Sequence, residues 1–327
     1  MTQAHLKELM QLQGSTISYL VNDLRRQHLV KNSTKSIETV KVGKPGQLIE
    51  LDNEYAYFLG IYLEETFFDA HVIGLADKEI YSERFTLVDL PPAELLKKIS
   101  QIIKNLLNRY YNIKGIGIAI KSVVDVKGNI SSFKRIMPGI EGAKVWSIEG
   151  FSALIRKEIG DLCLIVENDA NCAATYCKTS NKNNYDTSMT FIVNKDPFGV
   201  GCGMILNGKL FRGGNGAAGE LFFPDRSIQN LVEQQNNKLT PFEIMKLLKD
   251  SITQGIYMID PQVVYLSGSL FSHLPDSSRQ EILNLFKGVP YSIQLLVEDQ
   301  YSLPAKGVVL LTADAYIADL LSHIDRR

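Results

Sequence analysis

Residues Leu162-Cys163-Leu164-Ile165-Val166-Glu167-Asn168-Asp169-Ala170-Asn171 decide the fold, because an apolar run of strand length stops at a cluster of carboxylates and amides and an Ala-rich segment follows. The run reads as a buried strand and the segment as a helix. In an open α/β sheet, ligands bind at the carboxyl ends of strands. Asn168 and Asp169 are therefore placed to hydrogen-bond a small polyol, and in an enzyme to take a hydroxyl proton. The same residue types are preferred helix N-caps, which is the structural reading of the pair.

Working outward, Tyr57–Tyr62, Phe67–Ile73 and Ile80–Leu87 read as three strands. Leu95, Leu96, Ile99, Ile102, Ile103, Leu106 and Leu107 mark one face of the helix that follows. Gly115–Ile120 is a buried strand, and a helix is expected around Ser147–Ile159. Beyond a polar break at Thr179–Thr187 the pattern restarts with a strand at Ser188–Asn194. Cys202–Leu206 and Lys209–Arg212 then flank Asn207-Gly208, the dipeptide that type I′ hairpins prefer. Thr240-Pro241-Phe242-Glu243 combines an N-cap, a proline at the first helical position and a capping-box acid, and Val263–Leu266 is a further strand. The last helix is expected over Asp314–His323. Two similar halves with a cleft between them predict a duplicated, two-lobed α/β fold. Residues 51–180 form the first lobe and 181–310 the second, with 311–327 returning to the first.

Residues 1–50 read differently, as a winged helix-turn-helix. Leu6, Leu9 and Met10 lie on a first amphipathic segment, the turn falls at Gln13-Gly14, and a second helix starts near Ser15 or Thr16. In that helix Ile17, Leu20, Val21 and Leu24 fall at i, i+3, i+4 and i+7 and are expected to face a core. Ser15, Thr16, Ser18, Tyr19 and Asn22 are left to read base edges, while Arg25, Arg26, Lys31 and Lys35 suit phosphates. Lys31–Leu51 reads as a wing hairpin whose Lys41, Gly43, Lys44 and Pro45 could lie along a DNA backbone or minor groove. The plain structural reading of the unit is a helical hairpin with a solvated polar face.

A net charge of −1, with 45% hydrophobic and 22% charged residues, describes a globular chain that no global field draws to nucleic acid or membrane. The basic bias is local: residues 1–50 hold seven lysines and arginines against four acids. Cys163, Cys172, Cys177 and Cys202 form no Cys-x-x-Cys pair and have no nearby His, so they read as buried thiols of a cytoplasmic protein. No stretch resembles a signal peptide or membrane span. Neither a metal nor a cofactor is expected.

The order of Gly115-Ile116-Gly117-Ile118, Pro138-Gly139, Glu167 to Asn171, Gly199 to Gly203, Asn207-Gly208-Lys209, Gly213 to Glu220 and Asp260 to Gly268 resembles the ROK family of sugar kinases and sugar-responsive repressors. The N-terminal unit followed by Gly43-Lys44-Pro45 is similar to the repressor branch. The resemblance implies an actin-like, ribonuclease-H-like pair of lobes. It also implies that Asn168, Asp169 and Glu220 hold sugar hydroxyls, with Asp169 at the position of the kinase general base. Kinases of the family carry Asp-x-Gly-Gly-Thr in the first hairpin, where Tyr62-Leu63-Glu64-Glu65-Thr66 stands here. Two carboxylates replace two glycines and would oppose ATP phosphates. A Gly-Thr-Gly phosphate loop is replaced by Pro197-Phe198-Gly199, and the His and Cys cluster of the family's zinc site is missing after Gly219-Glu220. Lys121-Ser122 stands where a Pro-Gly usually ends its strand, and Phe223 makes the pocket more apolar.

These features imply a transcriptional regulator of carbohydrate genes. It would bind operator DNA through Ser15, Thr16, Ser18, Tyr19, Asn22, Arg25, Arg26 and Lys44, and a sugar or related metabolite through Asn168, Asp169 and Glu220. A homodimer or higher homo-oligomer and no membrane partner are expected. The alternative is an ATP-dependent sugar kinase with atypical phosphate loops, which keeps Asp169 and Leu266-Ser267-Gly268-Ser269. A scaffold binding neither sugar nor DNA is the third reading.

Overall fold

The computed structural model describes residues 1–34, 47–64, 67–87, 92–124, 130–131, 155–156, 159–160, 162–181, 183, 185–195, 198–220, 227–235, 238–289, 292–295 and 302–324. The basic stretch with Lys35, Lys41, Gly43, Lys44 and Pro45, most of the helix expected at 147–159, Glu65, Thr66, Pro138-Gly139, Pro197 and Phe223 lie outside the described residues.

The N-terminal unit holds α1 (Gln3–Met10), α2 (Gly14–Arg26) and a two-stranded antiparallel sheet, β1 (Val30–Asn32) with β2 (Ile49–Leu51). Gln11 in the left-handed region ends α1 and turns the chain into α2. The core of this unit is small: Ile17, Val21 and Ile49 are buried, with Leu6 and Val30 against them. Leu20, expected to face that core, is 39% exposed, and Leu9 and Met10 are exposed as well. Among the described residues, one short helix and two three-residue strands cover the Ile17–Val21 stripe and supply no surface that buries Leu20.

Two five-stranded sheets follow, and they share one topology. In the first, β3 (Tyr57–Leu63), β4 (Phe67–Gly74), β5 (Glu79–Thr86), β6 (Ile113–Ile120) and β9 (Cys163–Asn168) are ordered β5-β4-β3-β6-β9. The β3, β4 and β5 strands are antiparallel neighbours, whereas β6 and β9 run parallel to β3. In the second, β10 (Ser188–Lys195), β11 (Phe198–Leu206), β12 (Lys209–Leu210), β13 (Val263–Ser267) and β14 (Ser292–Leu295) repeat that order as β12-β11-β10-β13-β14, with β13 parallel to β10 and β14 parallel to β13. A small pair, β7 (Val123–Val124) and β8 (Ile130–Ser131), projects beyond β6. Asn207 and Gly208 both take positive φ, 51° and 71°, as a type I′ turn requires.

Both faces of β3 are covered, so the strand is apolar almost throughout. Leu59, Ile61 and Leu63 pack with Ile99, Ile103 and Leu106 of α3 (Pro92–Arg109). Tyr62 packs on the opposite side with Ala305 and Val308 of α8 (Ser302–Ile324) and with Cys172 of α4 (Asp169–Ser180). In the second sheet Phe191, Val193, Val264 and Leu266 meet Ile244, Leu248 and Ile252 of α6 (Pro241–Ile259), near α5 (Ser227–Gln234) and α7 (Asp276–Asn284). The α6 capping box forms as expected, with Glu243 N donating to Thr240 Oγ1 at 3.2 Å and Thr240 N to Glu243 Oε2 at 2.8 Å.

The last helix starts at Ser302, twelve residues before the expected Asp314. Pro304 falls in its first turn, where the missing N–H costs no hydrogen bond. Gly307 reads as a breaker by propensity but lies at a contact with α4, where a Cβ would stand 1.8 Å from the Cys172 carbonyl oxygen.

Candidate functional site

The carboxyl ends of β3, β6 and β9 lie side by side, with Leu63 opposite Ile120 and Ile120 opposite Asn168. The next residues along each strand, Glu64, Lys121 and Asp169, therefore stand at one edge of the first sheet. Asp169 opens α4, whose body packs on β10 and β11 of the second sheet, so the helix carries this edge to the other lobe. Packing that close explains the glycines of β11: a Cβ on Gly203 would stand 2.1 Å from the Ala170 carbonyl oxygen.

Asn168 caps α4 through its Oδ1, which accepts from Asn171 N at 3.0 Å, and its Nδ2 donates to the Ser122 carbonyl at 3.1 Å. Asp169 is buried, and its Oδ1 accepts from Ala170 N at 2.9 Å. Its Oδ2 lies 3.3 Å from the Tyr62 hydroxyl, which itself donates to Glu64 Oε1. Glu64 Oε1 is also 3.5 Å from Asn194 Nδ2, and Asn194 Oδ1 accepts from Ser269 N at 2.9 Å. A chain of polar groups thus crosses from β9 through β3 to β10 and the 3₁₀ turn Ser269–Phe271.

Burial is the main cause that raises the Asp169 carboxyl to about 7, with Glu64 adding repulsion, Lys121 and the Ala170 N–H opposing, and Glu220 contributing last. Burial, followed by the Glu64 and Asp169 charges, holds the Tyr62 phenol well above its ordinary range. Glu220 is half-buried, and that burial raises its carboxyl too. Glu64 and Glu220 are therefore both near enough to act on the Asp169 carboxyl. A second crossing lies beside them, where buried Glu167 accepts from Arg212 Nε at 2.6 Å, from Asn168 N at 2.9 Å and from Asn171 Nδ2 at 2.9 Å.

On the N-terminal unit, Ser15, Thr16, Tyr19, Asn22 and Arg26 are exposed on α2, while Ser18 and Arg25 are half-buried. The Arg25 guanidinium donates to Asn32 Oδ1 at 2.6 Å and to Asn22 Oδ1 at 3.3 Å, tying α2 to β1.

Residues 58–221 match the family described as ROK. The chain belongs to the ROK family. The match runs from β3 to one residue past Glu220 and so includes Glu64, Asn168, Asp169 and Glu220. The ROK chain is 26% identical over 234 residues to the xylose repressor of Staphylococcus xylosus, which covers 67% of this chain and 55% of the relative. It is 23% identical over 222 residues to the xylose repressor of Lactiplantibacillus pentosus, covering 64% and 52%. The alignments thus span about half the length of these curated relatives. Among solved structures, a ROK family transcriptional regulator, a homologue of the E. coli MLC protein, superposes with a TM-score of 0.68 at 15% identity, covering 97% of this chain and 93% of that one. A ROK hexokinase from Thermus thermophilus superposes with a TM-score of 0.60 at 15% identity, covering 80% and 99%. These likenesses establish a kinase-type ROK fold of two related sheets.

Tyr62, Glu64, Asn194, Glu167 and Arg212 belong to these hydrogen-bonded groups around Asn168 and Asp169, although the sequence reading did not place them among the candidate binding residues. Glu64 was legible as a carboxylate at a strand end. Asn194 and Arg212 carry no local signal, because their partners lie 130 and 45 residues away. Among the described residues, no group of three or more His, Cys, Asp or Glu could hold a metal ion.

Proposed function

We propose that this ROK protein is a transcriptional repressor of carbohydrate genes that acts in the cytoplasm. Residues 1–50 bind operator DNA as a winged helix-turn-helix, and the two lobes, 51–180 with the C-terminal helix and 181–310, close around a sugar held by Asn168, Asp169 and Glu220. The observation that carries the reading is the joining, in one chain, of an exposed polar face on α2 to a ROK body whose strand ends carry the buried carboxylates Glu64 and Asp169. Carboxylates there suit hydroxyl donors and repel nucleotide phosphates. Two further facts support it: the relatives are named xylose repressors, and the regulator's fold extends over 97% of the chain where the hexokinase's extends over 80%.

Sugar binding that differs between open and closed lobes would shift the spacing of two DNA-reading heads in a homodimer. The test is titration of the protein onto its own promoter region at two salt concentrations, with and without D-xylose, other sugars and sugar phosphates. Specific, salt-sensitive binding altered by one sugar is expected, and its absence would sink the reading. Asp169→Asn should keep operator affinity and lose the sugar response; an unchanged response would remove Asp169 from the site. Arg26→Ala should weaken binding to all sequences and lower the slope of log K against log salt by about 1. An unaltered slope would take Arg26 off the DNA backbone.

A sugar kinase is the second reading, favoured by an Asp169 carboxyl at about 7, a value suited to a general base. ATP-dependent phosphorylation of any sugar in a coupled assay would establish it.

A further inference from the structure

Tyr62 brings a single hydrogen to two carboxylates. Its hydroxyl donates to Glu64 Oε1, so the face it turns to Asp169 Oδ2, 3.3 Å away, is a lone pair. Tyr62, Glu64 and Asp169 are 2%, 4% and 5% exposed, and Glu64 Oε2 is buried with no hydrogen-bond partner. Two ionised carboxylates around one donor would leave oxygen facing oxygen where water does not reach. A hydrogen on Asp169 Oδ2 completes a directed chain from Asp169 to Tyr62 to Glu64.

We propose that Asp169, Tyr62 and Glu64 form a buried proton-binding site, which in the ligand-free protein holds one proton beyond the tyrosine's own and gives it up when a neutral polyol docks on Asp169. The second half rests on the effector reading above; the first does not. Burial, Glu64 just beyond β3 and Glu220 of the loop after β12 favour the bound proton, and the Tyr62 hydroxyl lies where it can accept it, while Lys121 beyond β6 and the Ala170 N–H at the start of α4 oppose it. On the same helix, burial holds the Cys172 thiol well above its ordinary range, so it adds no charge. Asn194 of β10 acts on Glu64 and on the Tyr62 hydroxyl and is not among the groups that shift Asp169, whose carboxyl rests at about 7. A sugar hydroxyl donating to Asp169 binds the ionised form more strongly than the protonated one, so docking favours loss of the proton to solvent.

The ligand-free test compares the thermal midpoints of the wild type and Asp169→Asn, whose amide mimics the protonated acid. A carboxyl raised in the fold above the unfolded value of about 3.9 contributes stability that is complete below that value and lost as pH rises through about 7. The variant should therefore gain several degrees on the wild type at about pH 8 and little at about pH 4. An equal difference at both pH values would overturn the proton site. Glu64→Gln, which removes the neighbouring charge, should move the wild-type loss to lower pH.

For the linkage, titration calorimetry with D-xylose in buffers of different ionisation enthalpy should give about one proton released per sugar near pH 6 and almost none above about pH 8. Binding without proton release would overturn the linkage. Absence of any sugar binding, together with the expected pH-dependent midpoints, would sink the effector reading and leave the proton site standing.

Discussion

Replacing Gly307 by alanine is expected to lower the stability of the protein by about 3 kcal/mol or more, the cost of overpacking at a site that cannot yield. The added Cβ would stand 1.8 Å from the Cys172 carbonyl oxygen and 2.4 Å from its carbon. Those are backbone atoms of α4, and no side-chain rotation relieves the clash. Both helices would have to separate. Helix α8 lies on β3 and β6 of the first sheet, and α4 lies on β10 and β11 of the second, so this contact is where the two lobes are held together. Gly14→Ala is the matched control, because a Cβ there meets nothing within 4 Å. It should be neutral or slightly stabilising through the lost freedom of the unfolded chain. Urea midpoints of the two variants decide the matter, and a Gly307→Ala midpoint equal to the wild type would mean that the helices are not in contact as described.

Arg212→Ala is expected to cost about 2 kcal/mol. Glu167 is 4% exposed and keeps two donors on Oε1, but its Oε2 loses the Arg212 Nε at 2.6 Å and is left charged in the interior. Breaking a fully buried pair costs about 3 to 5 kcal/mol. The Arg212 side chain is 45% exposed, so water screens the pair and can enter after truncation, which reduces the figure. Glu167→Gln added to Arg212→Ala should recover part of the loss by removing the unpaired charge. Strict additivity of the two substitutions in a double-mutant cycle would show that they do not interact. The pair also bears on function, because Glu167 holds the backbone N–H of Asn168 and the side chain of Asn171 on either side of Asp169. Loosening it should weaken sugar binding in the proposed site before the protein unfolds.

Sequence spacing by itself determined the local elements of this protein. The apolar run into Glu167, the Asn207-Gly208 turn and the Thr240–Glu243 capping box depend on neighbours within a few residues, and each forms where its pattern predicts. The repeated order of strands was legible for the same reason, since each lobe announces its hairpins and parallel strands in turn. Tertiary structure decided what arrives from elsewhere in the chain. Periodicity places Leu20 on the apolar stripe of α2, but its burial needs an opposing surface that one short helix and two short strands do not supply. Propensity reads Gly307 as an interruption, yet the approach of α4 makes the missing side chain a requirement. Tyr62 and Asp169 stand 107 residues apart, and only the parallel alignment of β3, β6 and β9 brings a single phenolic hydrogen between two buried carboxylates. Their chemistry is a property of that meeting, because desolvation and charge repulsion act on distances in space and leave no mark on the spacing of residues along the chain.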